Sequence, residues 1–401
     1  MLRLSLFGLR DFRCLVAGMV VGSAGMMGET VALGWLALTL TDSPFLVGVA
    51  MGARALPLFF AGVPAGVLAD RFPRQRLLLA TSAGQALTAA AIGALALSGR
   101  AGLVPVLVLT LAAGTLRAVE HAARQSYAHD VVGAAGLVHA LAVLGVAMRG
   151  GWLAGSLGAG LLIAHGGSGA AYLGVAVANL AAAAAYLPAS AGARPAAGAR
   201  DSLWQGIVDF AGVVRRDRLL LALMALTGGA EVLGFSHQTL LPSLARDVLR
   251  AGPEALGLLN AARAVGGILG LAVAMRGWIA GRGAAFLGVL LLFGLSLVGL
   301  GAAPAAVGLG GVVLLLVAAN AAGALADLLA QSLLQFGVPA RLRGRAGGAW
   351  VVAIGLAPLG QLQIGALASL FGVSAALAAS GLALAALVAA TAAGFPRLRR
   401  L

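Results

Sequence analysis

Apolar stretches long enough to cross a bilayer, separated by short arginine-bearing turns, run from Phe12 to Gly394. A helix needs roughly 20 apolar residues to traverse the hydrocarbon core. Windows of that size predict twelve spans, at 12–38, 44–68, 77–98, 102–124, 136–164, 169–188, 218–242, 255–275, 283–303, 306–331, 346–371 and 373–394. With 61% hydrophobic residues and a mean hydropathy of +1.01, the chain carries more apolar surface than a water-soluble core can hide. Lipid as solvent removes that difficulty. The 60 glycines suit membrane helices, where small residues let backbones approach closely. The expected fold is an all-α membrane protein.

Arginine placement orients these spans. All 27 basic residues are arginine, and with both termini cytoplasmic twenty fall on that side, from Arg3, Arg10 and Arg13 to Arg397, Arg399 and Arg400. Only Arg100, Arg246 and Arg250 face outward, the other four lying within spans. That asymmetry follows the positive-inside rule. The net charge of +14 therefore points to the anionic lipids of the cytoplasmic leaflet rather than to nucleic acid. Cys14 is the single cysteine, so no intrachain disulfide forms. The first span is too long for a cleaved signal sequence and is expected to remain in the membrane.

The longest connection divides the spans six and six. Residues 1–188 form a first bundle, 189–217 a cytoplasmic linker and 218–401 a second bundle. Within the linker, Leu203, Ile207, Phe210 and Val214 recur at helical spacing, which predicts an amphipathic helix on the membrane face with Trp204 at the interface. An internal repeat supports the division. Gly48, Ala53, Arg54 and Ala55 match Gly257, Ala262, Arg263 and Ala264, and Ala112, Ala113 and Gly114 match Ala321, Ala322 and Gly323, all at an offset of 209. Two parallel halves are a recurring transporter architecture.

Ionisable groups inside the spans are the candidate functional residues: Glu29, Arg54, Arg117, Glu120, Arg149, Glu231, Arg263 and Asp327. Each costs about 3 kcal/mol at the bilayer centre on insertion scales, so each is expected to face a partner or a water-filled cavity. Glu29 with Glu231, and Arg54 with Arg263, occupy repeat-related spans and could pair as clasps or gates. Arg117 and Glu120 share a helix face and could neutralise each other locally. Asp327 has no charged neighbour on its own helix and is the first choice as proton carrier, with Glu29 second. His121 and His237 are expected to be solvated near helix ends. Metal-ligand spacing, phosphate-cradling loops and nucleophile elbows are absent from the sequence, so neither a cofactor, a metal nor an enzymatic activity is expected.

The loop between spans 2 and 3 reads Gly66, Val67, Leu68, Ala69, Asp70, Arg71, Phe72, Pro73, Arg74, Gln75, Arg76. It resembles the signature loop of the major facilitator superfamily, matching at Gly66, Leu68, Ala69, Asp70, Arg71 and Arg74. Pro73 and Gln75 depart from it, and Arg76 matches less closely. The resemblance implies two six-helix bundles and a cytoplasmic latch, with Asp70 near the start of span 11 and Arg71 and Arg74 near span 4. A carboxylate at a helix N-terminus is favourable on electrostatic grounds. The second-half copy, Gly277, Ala280 and Arg282, has Gly281 in place of the acid.

Finer details resemble the branch of bacterial permeases that includes enterobactin exporters: Phe12-Arg13, Arg54 to Pro57, Ala123 to Gln125, and Arg341, Arg343, Gly344 and Arg345. Ser156 stands where many exporters carry proline, within a run whose Gly155, Gly158 and Gly160 also suit plain helix packing. The resemblance implies a monomeric, proton-linked efflux permease of the bacterial inner membrane, carrying a small amphipathic drug- or siderophore-like molecule. An uptake permease of the same fold and a non-transporting membrane receptor or scaffold remain open alternatives.

Overall fold

The computed structural model describes residues 6–190, 218–275, 281–302, 304–336, 353 and 355–400. Side chains are described for these except at 59, 61–67, 69, 70, 134, 135, 138, 304, 305, 335, 336 and 400. The linker helix, Arg341 to Arg345, the second-half loop at Gly277 and Ala280, and the side chains of Gly66 and Asp70 lie outside the described residues.

Every regular element among the described residues is helical. Helix α1 is Arg10–Thr41, α2 Pro44–Arg71, α3 Arg74–Leu97 and α4 Leu103–Tyr186. Helix α5 begins at Arg218–Gly229 and continues through short π and 3-10 segments to Val248. Then follow α6 (Pro253–Met275), α7 (Arg282–Ala302), α8 (Pro304–Phe336), α9 (Ala357–Phe371) and α10 (Val373–Gly394). Nine helices among the described residues are long and apolar enough to span a membrane. At about 1.5 Å per residue, the 32 residues of α1 exceed the hydrocarbon thickness and fit it by tilting or projecting beyond it. Leu87 is 72% exposed and Leu370 74% exposed, surface that lipid rather than water accommodates.

The run assigned to α4 consists of three limbs. Gly133 (φ 67°, ψ 174°) and Gly167 (φ 73°, ψ 178°) leave helical geometry within it. Side chains with a Cβ rarely adopt positive φ with extended ψ, so glycine is what permits a sharp reversal at each position. The first limb continues past residue 124, the end expected from hydropathy, up to Gly133. Arg124 and Asp130 are thus helical residues on the same limb as Arg117.

The chain forms two compact units. One comprises Met1–Asp42, Ala53–Ala199 and Gly252–Ala261, the other Ser43–Gly52, Arg200–Ala251 and Ala262–Leu401. In the first unit α1 and α3 pack along α4, around Leu15, Leu78, Tyr127, Leu144 and Tyr186. The crossing of α1 with the second limb of α4 is a backbone contact. A methyl group added at Gly155 would lie 2.7 Å from the Ala24 carbonyl carbon, and one at Gly151 2.8 Å from the Ser23 Cβ. Gly158 has open space around it, so Gly155 and Gly158 serve different ends although they share one sequence motif.

In the second unit α7 packs against α8 and α10, and α9 against the irregular part of α5. The repeat-matched segments make comparable crossings in each unit. Gly114 of α4 abuts the Arg54 carbonyl of α2, with an added methyl 2.8 Å from that oxygen, and Gly266 of α6 abuts Ala321 of α8, 3.1 Å from its nitrogen.

Candidate functional site

The first unit holds a continuous polar chain within its apolar helices. Glu29 on α1 is 4% exposed. Arg117, from the first limb of α4, donates to Glu29 Oε2, and Arg54 Nε of α2 lies 3.6 Å from that same oxygen. At 3.6 Å the second contact is a charge interaction rather than a hydrogen bond. Arg54 instead donates through Nη2 to the Met26 carbonyl at 3.1 Å.

Gln85 on α3 carries the chain onward. Its Oε1 faces Arg117 Nη2 at 3.4 Å, and its Nε2 donates to Glu120 Oε2 at 2.7 Å. These partners fix the amide orientation, since a guanidinium only donates and a carboxylate only accepts. Arg124 Nη1 closes the row on Glu120 Oε1 at 2.7 Å. Six side chains from four helices are thereby linked. Arg149, the remaining candidate of this unit, lies over the Trp152 ring with its guanidinium carbon 5.7 Å from the centroid.

The local pairing of Arg117 with Glu120 is replaced by two other pairings. Glu120 takes the cation four residues along its helix, and Arg117 crosses to α1. Both options lie on the same helix face. The difference is that α1 carries a buried carboxylate needing a hydrogen-bonded counter-charge. Gln85 was not singled out from sequence, because an uncharged amide in an apolar helix ordinarily serves as interhelical glue.

The second unit is arranged differently. Glu231 lies in the π segment Ala230–Gly234 of α5, and among the described residues no cation pairs with it. Asp327 on α8 accepts through Oδ2 from Gln331 Nε2 at 3.4 Å. Arg263 on α6 donates to Gln238 Oε1 at 2.7 Å. Arg54 thus lies against Glu29, and Arg263 donates to an amide. His237 is fully buried rather than solvated. Its Nδ1 lies 2.8 Å from the Gly234 carbonyl and its Nε2 3.4 Å from Asn320 Nδ2. Because a carbonyl can only accept, Nδ1 carries the proton and Nε2 accepts from the amide. His121 is exposed within the first limb of α4, not at its end.

At the end of the first unit where α2 turns into α3, Arg74 Nη1 pairs with Asp130 Oδ2 of α4 at 2.8 Å. Gln75 donates to the Tyr186 and Leu187 carbonyls at 3.0 and 3.1 Å, a use for the residue that departs from the signature pattern. Asp11 of α1 accepts from the Ser190 backbone N–H at 2.9 Å and from its hydroxyl. Arg71 and Arg76 are exposed.

Long apolar helices enclosing a row of ion-paired and hydrogen-bonded side chains define a polytopic helical membrane protein. Residues 14–360 match the Major Facilitator Superfamily profile, and the chain belongs to that superfamily. Its fold is similar to that of a point variant of the nucleoside transporter NupG, with a TM-score of 0.77 and 14% identity over 96% of this chain and 98% of that one. A point variant of the peptide transporter POT is similar at TM-score 0.76 and 14% identity, over 98% of this chain and 95% of that one. A bacterial homologue of the human lysosomal transporter Spinster, inward-facing and unoccupied, gives 0.70 and 14% over 97% and 96%. No curated protein matches the chain in sequence.

Proposed function

We propose that the chain is a proton-coupled secondary transporter that exports a small amphipathic molecule across the bacterial inner membrane by alternating access. In this reading twelve spans form two six-helix halves, 1–188 and 218–401, joined by a cytoplasmic linker at 189–217. The protein works as a monomer, and its partners are protons, membrane lipids and the substrate. The observation that carries the reading is the buried row from Arg54 through Glu29, Arg117, Gln85 and Glu120 to Arg124. Static packing does not call for six linked polar groups in apolar helices, whereas charges that exchange partners as bundles rock are what alternating access requires.

Coupling is assigned to the carboxyl groups of the second unit, Asp327 first and Glu231 second. A proton carrier has to be able to lose and regain its proton, and Glu29 is held by two guanidinium groups. The loop of Gly66, Asp70, Arg71, Arg74 and Arg76 acts as the cytoplasmic gate, a role supported by the Arg74–Asp130 pair. The likeness to the enterobactin-exporter branch suggests outward flux.

Proteoliposomes holding the purified chain test this reading. With an imposed proton gradient and a panel of fluorescent dyes and chelators, at least one should move against its own gradient, and a protonophore should stop it. Asp327→Asn should abolish net pumping yet retain exchange of substrate across the membrane. Gradient-driven movement that persists in Asp327→Asn and in Glu231→Gln would remove the coupling assignment. Flux coupled in the opposite sense would make the chain an uptake permease.

A further inference from the structure

The first unit's charged cluster has more donors than its acceptors can use. One carboxylate, Glu29, faces two guanidinium groups, which leaves a net single positive charge among α1, α2 and α4. Both arginines converge on one oxygen of that carboxylate. Arg54 Nε and Arg117 Nε and Nη1 are buried with no hydrogen-bond partner among the described residues. The Tyr172 hydroxyl is in the same condition. Its side chain is fully buried on the third limb of α4.

Orphaned donors in a low-dielectric site are costly, and three of these four belong to permanently charged groups. The neutral acceptors at hand are already committed, the Met26 carbonyl to Arg54 and Gln85 to Arg117 and Glu120. The arginine side chains nonetheless retain 17–19% exposure, so the cluster can be reached from outside the protein. A cation entering here would meet net positive charge, and a neutral group would leave that charge uncompensated. A planar monoanion matches the guanidinium fork.

We propose that this cluster receives a carboxylate-type monoanionic group on the transported molecule, which makes the substrate class amphipathic organic anions. The assignment rests on the transporter reading above. The incoming anion competes with Glu29 for Arg117 and Arg54, so binding loosens the clasp between α1, α2 and α4 at the step where the helices must move.

The test compares three probes of similar shape: naphthylacetate, naphthylacetamide and naphthylethylamine. Each is titrated calorimetrically into the full chain in a lipid-free, nonionic detergent. The carboxylate should bind about tenfold more tightly than its amide, the scale of one charge-assisted hydrogen bond, and the amine should bind least. Glu29→Gln removes the competing carboxylate and should tighten naphthylacetate binding, while Arg117→Gln should erase the preference for acid over amide. Arg54→Gln supplies a second variant should Arg117→Gln fail to fold, and the wild-type acid-to-amide ratio needs no variant at all. Equal binding of acid and amide, no binding by either, or weaker acid binding in Glu29→Gln overturns the assignment. Pumping in proteoliposomes alongside charge-indifferent binding would sink only this inference. Charge-selective binding by a chain that moves nothing would sink the transporter reading and leave the anion site standing.

Discussion

Arg117 bypasses Glu120, three residues along the same helix, and pairs with Glu29 on α1. The carboxylate of Glu29 is therefore the junction at which α1, α2 and α4 are tied together, since Arg54 approaches the same oxygen. Local geometry offered a cheaper pairing. The tertiary fold favours the longer one, because otherwise Glu29 would be a buried carboxylate with only the 3.6 Å approach of Arg54 and no hydrogen-bonded counter-ion.

Breaking that junction from one side should cost more than removing it. Glu29→Gln leaves Arg54 and Arg117 facing each other, and Arg117→Gln leaves Glu29 with only the 3.6 Å contact to Arg54. Loss of one partner from a buried pair costs roughly 3 kcal/mol. Each single variant should melt several degrees lower in detergent, and the double variant should lie above the worse of the two. Additive losses in the double variant would show that the groups act independently.

Gly155 and Gly158 provide a test of packing that does not involve charge. Gly155→Ala places a methyl against the Ala24 backbone, whereas Gly158→Ala extends into open space. Overpacking of this kind costs about 1–3 kcal/mol. Folded yield and melting temperature should drop for the first variant and hold for the second. Equal tolerance of both would contradict the close crossing of α1 and α4.

The Arg74–Asp130 pair at 2.8 Å lends itself to charge reversal. Arg74→Asp and Asp130→Arg should each reduce transport at near-normal membrane abundance, since each puts like charges together at the proposed gate. The double reversal should restore much of the lost rate. Failure to recover, with both proteins folded, would mean that Arg74 acts through another group.

Membrane orientation can be read in intact cells. In a Cys14→Ser background, an impermeant thiol reagent should label Arg250→Cys but not Ala197→Cys. Arg250 is exposed in the short connection between α5 and α6. The reverse labelling would invert the topology drawn from the arginine distribution.

Helicity, the approximate place of each apolar stretch and the asymmetry of the arginines were legible in the sequence because they are additive local properties. Each residue brings its own transfer free energy, and each turn its own charge. Even the reversal near residue 167 was visible as a gap between apolar windows, although the break at Gly133 extends the preceding limb beyond its hydropathic end. Glu29, Arg54 and Arg117 could be marked as costly from position alone. Their partners could not, because Glu29 and Arg117 are 88 residues apart and meet only when α1 packs against the first limb of α4. Gln85 carries no charge to betray it, and it became part of the row only once α3 set its amide between Arg117 and Glu120. The same holds for the repeat-matched arginines: neither the approach of Arg54 to Glu29 nor the bond from Arg263 to Gln238 is written in their own segments. Sequence alone determined which groups had to be compensated inside the membrane, since burial of charge is unfavourable wherever it occurs. Tertiary packing alone decided which group compensates which, since pair energies depend on distances that no single helix defines.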